Sequence, residues 1–374
     1  MQLDLILRGQ SNAILLAEGD HWAASGHLVN EVERLLGFDG EQNSVRLIYD
    51  RDEQGGETAY SGTAFLGEWM QRDASGNWTS GKLENGFLDG MQAYREDGMG
   101  DATALVWMHS EYDSRDPDLA PADWTSAVRT DAALVRGELG RDVPYLFVAA
   151  HPYGDGSDAG HQAIRAGMEQ LAADPAFDAR IAARAPDIDA AHDNRDGNSD
   201  TKDYGGAHIT PEDGMLIADR IARAVAEDWA EFAQPGSPVA VAGGNIADHG
   251  PRVVQAQQID ATRLKVDVQH DAAPTFGALG ASAAEGLGWT AGTADGERIA
   301  ASGVQVLDHN SLLVSFADAV PAGARLDYAW GIGRVAEPGG PGEGNALTDI
   351  SGLPVWTPAE GVAVTPATLD ALWG

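Results

Sequence analysis

The residues most capable of chemistry near the start of the chain form the Gly-Gln-Ser-Asn segment at 9–12, which directly follows an alternating apolar run at 3–7. Gly9 permits a tight bend, and the apolar residues after it open a helical stretch. We therefore expect Ser11 at the carboxyl edge of a sheet, where open α/β sheets hold their sites. Two roles are open for this serine, a nucleophile or a simple helix cap.

Two further segments carry groups that could complement such a serine. The Ser-Gly-Thr-Ala segment at 61–64 offers the amide of Gly62, which could approach a ligand closely, although such a segment is also an ordinary turn. The segment 107–113 ends a central apolar run with His109 and two carboxylates, one of them Glu111. These polar groups could act on a ligand, or His109 could be a hydrogen-bonded strand-end histidine without a chemical role.

A loop at 203–210 combines an acid, two glycines and a histidine directly before a predicted helix. His208 could lie over Ser11, with Asp203 behind it to fix the tautomer of the imidazole. The acidic run just upstream, at 193–200, could wrap Ca²⁺ in oxygen ligands. Its spacing does not match an EF-hand loop, so a solvated acidic loop is the favoured interpretation and no metal site is predicted.

The elements that position these groups are predicted by the apolar pattern of residues 1–234. Short, nearly continuous apolar runs indicate strands buried in a parallel sheet, and stretches rich in Ala, Leu, Arg and Glu between them indicate helices. The strands are predicted at 45–49, 104–108 and 145–149, and the helices at 123–139 and 159–173. A further helix is predicted after Thr210, which can cap it, with Pro211 in the first turn. The fold class is therefore α/β with a doubly wound parallel sheet.

The pattern changes at residue 235, where helix formers give way to short β-like runs between Gly, Asp, Asn and Pro. Runs at 263–268, 304–307 and 311–316 alternate or stay apolar as strands do. A smaller all-β, sandwich-like domain is therefore predicted for 235–374.

Charge and composition exclude several classes of protein. With 24 basic against 58 acidic side chains the formal net charge is −34, which disfavours nucleic acid and anionic membranes as partners. Polyanionic glycans are disfavoured as substrates for the same reason, although a local basic pocket could override the bulk field. No apolar run approaches the roughly 20 residues that span a bilayer, so membrane insertion is not expected. The chain has no cysteine, which excludes thiol catalysis and disulfides.

Taken together and in their order, the motifs at 9–12, 61–64, 107–113 and 203–208 resemble those of the SGNH/GDSL hydrolases. The branch they resemble most contains the sialate O-acetylesterases and acetylxylan esterases. The resemblance implies a three-layer, flavodoxin-like arrangement for residues 1–234 and a serine carbohydrate esterase that needs no cofactor. The expected partner is an acetylated glycan, and the oligomeric state is not predicted.

The resemblance also implies a role for each motif. Ser11 would attack the acetyl carbonyl, His208 would take and return the proton, and Asp203 would orient the imidazole. The amides of Ser11 and Gly62 would form the oxyanion hole.

The resemblance further assigns a side-chain donor to the oxyanion hole at His109, and it places Asn12 and Glu111 among the oxyanion or substrate-binding residues. The chain departs from the family at this segment. His109 stands where the family has glutamine, so that Glu111 would have to hold the tautomer of the imidazole, and Ser110 stands for a glycine.

A third departure affects the acid. Gly205 occupies the position three residues before the histidine where the family has its acid, which leaves Asp203 or Asp200 as candidates. These departures keep a second function open, a catalytically impaired glycan-binding or structural protein of an extracellular or virion assembly. Because the chain starts without the basic residues of a secretory signal, an extracellular, periplasmic or virion location requires a trimmed signal or another route, and a cytoplasmic one also remains open.

Overall fold

The computed structural model describes residues 1–17, 24–49, 58–149, 152–188, 208–335 and 344–366. It contains an α/β domain followed by an all-β domain, as predicted. In chain order the first domain contains β1 (Gln2–Gly9), α1 (Ser11–Ala17), α2 (Ala24–Leu36), β2 (Ser44–Ile48), the hairpin β3 (Met70–Arg72) and β4 (Trp78–Ser80), α3 (Lys82–Asp97), β5 (Ala102–Met108), α4 (Pro121–Leu139), β6 (Tyr145–Ala149), α5 (Asp158–Ala172), β7 (Ala179–Arg184) and α6 (Pro211–Asp228).

Five parallel strands form the sheet of the α/β domain, in the order β2-β1-β5-β6-β7. The chain leaves β1 toward β2 on one side and then continues with β5 on the other side of β1. The direction of winding therefore reverses beside β1, and a crevice is expected there at the carboxyl ends of the strands. Ser11 follows the end of β1, and His109 follows the end of β5.

Helices cover both faces of this sheet, which gives the three layers expected. Buried residues of α1, α2 and α6 pack on one face, and those of α3, α4 and α5 pack on the other. The predicted cap of the last helix is confirmed, because the Thr210 hydroxyl accepts a hydrogen bond from Asp213 N and the Asp213 carboxylate accepts one from Thr210 N.

The second domain is all-β, but the sandwich-like arrangement was wrong. Its elements are α7 (Pro238–Val241), β8 (Arg252–Asp260), β9 (Arg263–Gln269), α8 (Ala281–Ala284), β10 (Trp289–Gly292), β11 (Arg298–Asp308), β12 (Ser311–Phe316), β13 (Arg325–Tyr328) and β14 (Val362–Thr365). The seven strands close into a barrel in the order β10-β11-β12-β9-β8-β14-β13. Register shifts in β8 and β11 bend these long strands, and such bends allow a sheet to curve and close.

The segment after α6 still packs on the first domain. Val239 of α7 is buried in the core beside α2 and α6, and Ile246 packs against the same cluster. The barrel strands begin only at Arg252. The division into 1–234 and 235–374 stays a prediction from composition, and the packing of α7 shows that residues beyond 234 contribute to the α/β core.

Candidate active site

The turn between β1 and α1 is shaped by a glycine that no other residue could replace without movement. A Cβ at Gly9 would lie 2.6 Å from Met108 O and 2.7 Å from Ala13 Cβ. The turn therefore packs tightly on the end of β5, and α1 starts immediately at Ser11. Ser11 is partly exposed, whereas its neighbours on both sides are buried.

Gln10 ties the segments of two predicted motifs to the end of β1. Its side-chain Nε2 donates a hydrogen bond to Thr63 O, and its Oε1 accepts one from Glu111 N at 3.1 Å. The side chain is fully buried. One amide therefore holds the segment of Gly62 and the segment that follows β5 at fixed positions beside the serine.

Asn12 makes a second connection of the same kind. Its Nδ2 donates to Glu111 Oε1 at 2.8 Å, and its Oδ1 accepts a hydrogen bond from Ile209 N at 2.9 Å. The other carboxylate oxygen of Glu111 accepts from Ser110 N at 3.1 Å. The residue after Ser11 is thus bound directly to the residue after His208, although 197 positions separate Asn12 from Ile209.

These contacts correct the predicted roles of Asn12 and Glu111. Both had been placed among the oxyanion or substrate-binding residues, but Asn12 is 0% and Glu111 1% exposed, and their polar atoms bind each other and the backbone. In this structure they position the serine and the histidine loop rather than face a ligand.

His109 differs from its predicted role as well. Its side chain is 0% exposed and is enclosed by aromatic rings, with ring centroids 4.9 Å from Trp69, 5.0 Å from Trp107 and 5.7 Å from Phe65. Neither ring nitrogen has a hydrogen-bond partner among the residues that the structure describes. Burial lowers the pKa of the imidazole well below its usual range, and the charge of Arg8 adds to this effect.

The placement of His109 therefore does not support an oxyanion donor. A donor to an oxyanion must reach the reacting carbonyl, and this imidazole lies in the core below the sheet edge. Glu111, which was predicted to hold its tautomer, binds Asn12 instead. His109 instead fills a pocket formed by the rings of Phe65, Trp69 and Trp107.

Gly62 remains at the exposed edge of the sheet. It adopts a left-handed conformation, with φ of 75°, and the position of an added Cβ lies 3.6 Å from Tyr112 Oη. Neighbouring residues bring it to β1, because Gly9 N donates to Thr58 O at 3.2 Å and Tyr60 N donates to Gly9 O at 3.1 Å. Its role in an oxyanion hole stays a prediction.

The structure describes His208 of the loop at 203–210, but it does not describe Asp203, the acid predicted to orient this histidine. His208 is partly buried and precedes the Ile209 amide that Asn12 holds. Asp203, together with Asp200, Gly205 and the acidic run at 193–200, lies outside the described residues. The identity of the acid and the interpretation of the acidic loop therefore stay predictions.

Sequence reasoning missed the role of Asp113, the last residue of the 107–113 motif. Its carboxyl group accepts hydrogen bonds from Phe65 N at 3.1 Å and Leu66 N at 2.9 Å, which fixes the irregular turn just after the Gly62 segment. Burial raises the pKa of Asp113 to about 7, although the two backbone N–H groups oppose the shift. The sequence did contain a signal for this role. Asp113 follows the carboxyl end of a buried strand, where a carboxyl group needs hydrogen-bond donors.

This pKa predicts a pH-dependent stability. A carboxyl group with a raised folded-state pKa stabilises the fold fully below its unfolded pKa, and that contribution is lost as pH rises through about 7. We expect the wild-type free energy of unfolding to fall by roughly 2–4 kcal/mol more between pH 5 and pH 8 than that of Asp113→Asn, which cannot ionise. Urea unfolding at both pH values measures the difference, with the exposed Asp123→Asn as control. Equal pH dependence in wild type and Asp113→Asn would contradict the assignment.

Arg8 is a second residue whose role the sequence analysis did not recognise. It lies on β1 with 0% exposure, pairs with Glu84 of α3 and lies 2.6 Å from Asp131 of α4. Its guanidinium also lies over the ring of Phe87, at 4.3 Å from the centroid. An arginine within an otherwise buried strand was the signal, because a buried charge requires partners.

Neither a metal centre nor a membrane segment is found among the residues that are described. Across these ranges no group of three or more His, Asp or Glu side chains is arranged to hold a metal ion. The described helices include none with the length and apolar character required to cross a bilayer.

The chain has a doubly wound parallel sheet with polar segments gathered at its switch point, and its overall fold is similar to that of a solved carbohydrate acetylesterase. A solved carbohydrate acetylesterase from Xanthomonas citri superposes on this chain with a TM-score of 0.57 at 15% identity, covering 94% of this chain and 79% of its own. A carbohydrate acetylesterase from Sinorhizobium meliloti matches 60% of this chain and 98% of its own at 13% identity, with a TM-score of 0.36. No family model and no curated protein sequence matches the chain.

Proposed function

We propose that this chain is a serine carbohydrate O-acetylesterase that removes acetyl groups from sugar hydroxyls through an acyl-enzyme on Ser11. The observation that carries the proposal is the hydrogen bond from Ile209 N to Asn12 Oδ1, at 2.9 Å. It fastens the loop of His208 to the first turn of α1, where Ser11 is partly exposed. A serine and a histidine at one sheet edge are the pair that acyl transfer requires.

In the proposed reaction, Ser11 Oγ attacks the acetyl carbonyl while His208 accepts the hydroxyl proton. The negative charge that develops on the carbonyl oxygen is met by the amides of Ser11 and Gly62. Collapse of this intermediate expels the sugar hydroxyl, which takes the proton from His208. Water, deprotonated by the same imidazole, then releases acetate and restores the serine. Asp203 is the proposed group that orients His208.

A carbohydrate substrate is supported by an exposed aromatic residue whose backbone binds the end of β1. Tyr60 is 42% exposed, and its backbone N–H binds Gly9 O at the end of β1. An exposed aromatic face with a polar hydroxyl suits a sugar ring, which has apolar C–H faces and polar edges. The fold shared with a carbohydrate acetylesterase agrees with this substrate class.

The test measures turnover and the site of covalent labelling in the full chain. We expect release of acetate from at least one member of a panel of acetylated glycans. We also expect a serine-directed phosphonate to add one label per chain, on the peptide that contains Ser11. If the protein releases no acetate, hydrolyses no activated acetate ester and takes up no phosphonate, the esterase proposal is wrong and the non-catalytic alternative is favoured.

A further inference from the structure

A cavity of about 40 Å³ lies between the two domains, away from the site described above. Its walls come from the carboxyl ends of β6 and β7, from α5 and from the barrel segments 327–330 and 355–359. The strand β5 separates β6 from β1, and the cavity is lined by no residue of the segments 9–12, 61–64 and 107–113, so it is distinct from the crevice beside Ser11. A space of this size holds about three water molecules or one small carboxylate.

Arg165 of α5 contributes an unpaired positive charge to this cavity. Its Nη1 donates to Ala329 O at 2.9 Å, and its Nη2 donates to Gly331 O. Its Nε has no hydrogen-bond partner in the described ranges. Within the described part of the chain, no carboxylate lies within 4.0 Å of the guanidinium, so two neutral carbonyl groups are its partners.

The other charged groups around the cavity are already paired. Arg184 binds the Glu169 carboxylate at 3.1 Å, and Arg298 binds the carboxylate of Asp327. Asp158 of α5, whose Oδ1 accepts a hydrogen bond from Ile332 N at 3.0 Å, is a third acid near Arg165, so acids and arginines are equal in number here. Of the three arginines, Arg165 is the one that has no carboxylate within 4.0 Å among the described residues. Burial lowers the pKa of Arg165 to about 10, which leaves the group cationic at neutral pH and indicates that the nearby acids do not compensate its desolvation.

The lack of an ion pair at Arg165 is unexpected from the composition of the chain. Acidic side chains outnumber basic ones by 58 to 24, yet none in the described ranges lies within 4.0 Å of the Arg165 guanidinium. The fully buried Arg8 and the nearly buried Arg220, by contrast, each bind a carboxylate. A partly buried cation that lines a cavity and has no carboxylate within 4.0 Å among the described residues is suited to an external anion.

We propose that the cavity between α5 and the barrel is a binding site for a carboxylate anion, which pairs with the guanidinium of Arg165. A carboxylate fits because the planar guanidinium keeps free N–H groups after donating to two carbonyl groups, and charge-assisted pairs of this kind are strong. The rings of Trp330 and Trp356, which also line the cavity, provide apolar surface for a methyl group or the carbon face of a sugar.

The carboxylate could belong to free acetate or to an acidic sugar within a glycan, and titration calorimetry distinguishes these two sources. The titrants are acetate, methyl glucuronoside and, as a neutral match for acetate, acetamide, at constant ionic strength. Binding of acetate at one site per chain, with no binding of acetamide, supports a small free carboxylate. Binding of the glucuronoside alone supports a glycan source. If neither anion binds, or acetamide binds as tightly as acetate, the proposal is overturned.

Two variants and one structure locate the site. Arg165→Gln is expected to weaken carboxylate binding about 10- to 100-fold, since a hydrogen bond to a charged group is lost. The exposed Arg72→Gln is the matched control and should bind as wild type. Because Arg165 also holds barrel carbonyls, a crystal structure of the wild type with acetate provides an answer even if Arg165→Gln does not fold. A carboxylate on Arg165 confirms the site, and a cavity filled by water alone overturns the proposal.

Discussion

Replacing Ser11 with alanine is expected to lower kcat/KM for p-nitrophenyl acetate by at least about 1,000-fold, because no acyl-enzyme can form. His208→Ala should cause a loss of similar size, since the serine hydroxyl is a weak nucleophile without a base. The double variant should be little worse than either single variant, because residues that act as one unit are not additive. Steady-state kinetics of the three variants and the wild type measures these effects.

The matched controls for these variants are Ser75→Ala and His309→Ala, which change exposed residues of a turn and of the barrel. Both should retain wild-type kinetics. Circular dichroism and the melting temperature should be unchanged in all single variants, which separates lost chemistry from lost structure. Independent, additive losses for Ser11 and His208 would show that the two residues do not act together, and retained activity in Ser11→Ala would remove the serine from the mechanism.

The largest effect on stability is expected from Arg8→Met, which should lower the free energy of unfolding by about 3–5 kcal/mol. Arg8 pairs with Glu84 and Asp131, and all three side chains are buried. Removing the cation leaves two acids in the core without their positive partner. Tyr145 also donates to Asp131 at 2.8 Å, so the loss extends through a connected network.

Glu84→Gln is the informative comparison for this prediction. Burial raises the pKa of Glu84 well above its usual range, even though Arg8 lowers it. Glutamine keeps the shape of this side chain and an oxygen that can accept a hydrogen bond from Arg8, so Glu84→Gln should cost less than half of the loss caused by Arg8→Met. Urea unfolding at pH 7 measures both, and an equal or larger loss in Glu84→Gln would show that the charge of Glu84 is required beside Arg8.

The sequence predicted best those elements whose residue pattern arises from local burial or local capping. The run at 104–108 became the central strand β5, and Thr210 caps α6 as predicted, because strand burial and helix capping leave short-range patterns. The barrel could not be predicted in the same way. Alternating strands look alike in a sandwich and in a barrel, and closure depends on the pairing of β13 with both β10 and β14, which no local pattern records.

The candidate site shows a similar limit. The motif order predicted that Ser11, Gly62 and the His208 loop would meet at one edge, but not which side chains would face a ligand. His109 and Glu111 follow the same strand, yet one enters an aromatic pocket and the other binds Asn12. That choice depends on Phe65 and Trp69, which lie far from residue 109 in the chain. The acid that completes the predicted triad stays a prediction.

The hydrogen bonds of the Gln10 side chain join neutral groups, whereas the surface around the site is strongly charged. The side chain joins Thr63 O and Glu111 N through bonds between neutral groups, so neither dissolved salt nor a change of pH removes them. The surface of a chain with a net charge of −34 responds strongly to ionic strength, because counter-ions screen its self-repulsion. The contacts that Gln10 makes beside the serine therefore contain no charged group, and we expect them to persist from dilute buffer to concentrated salt.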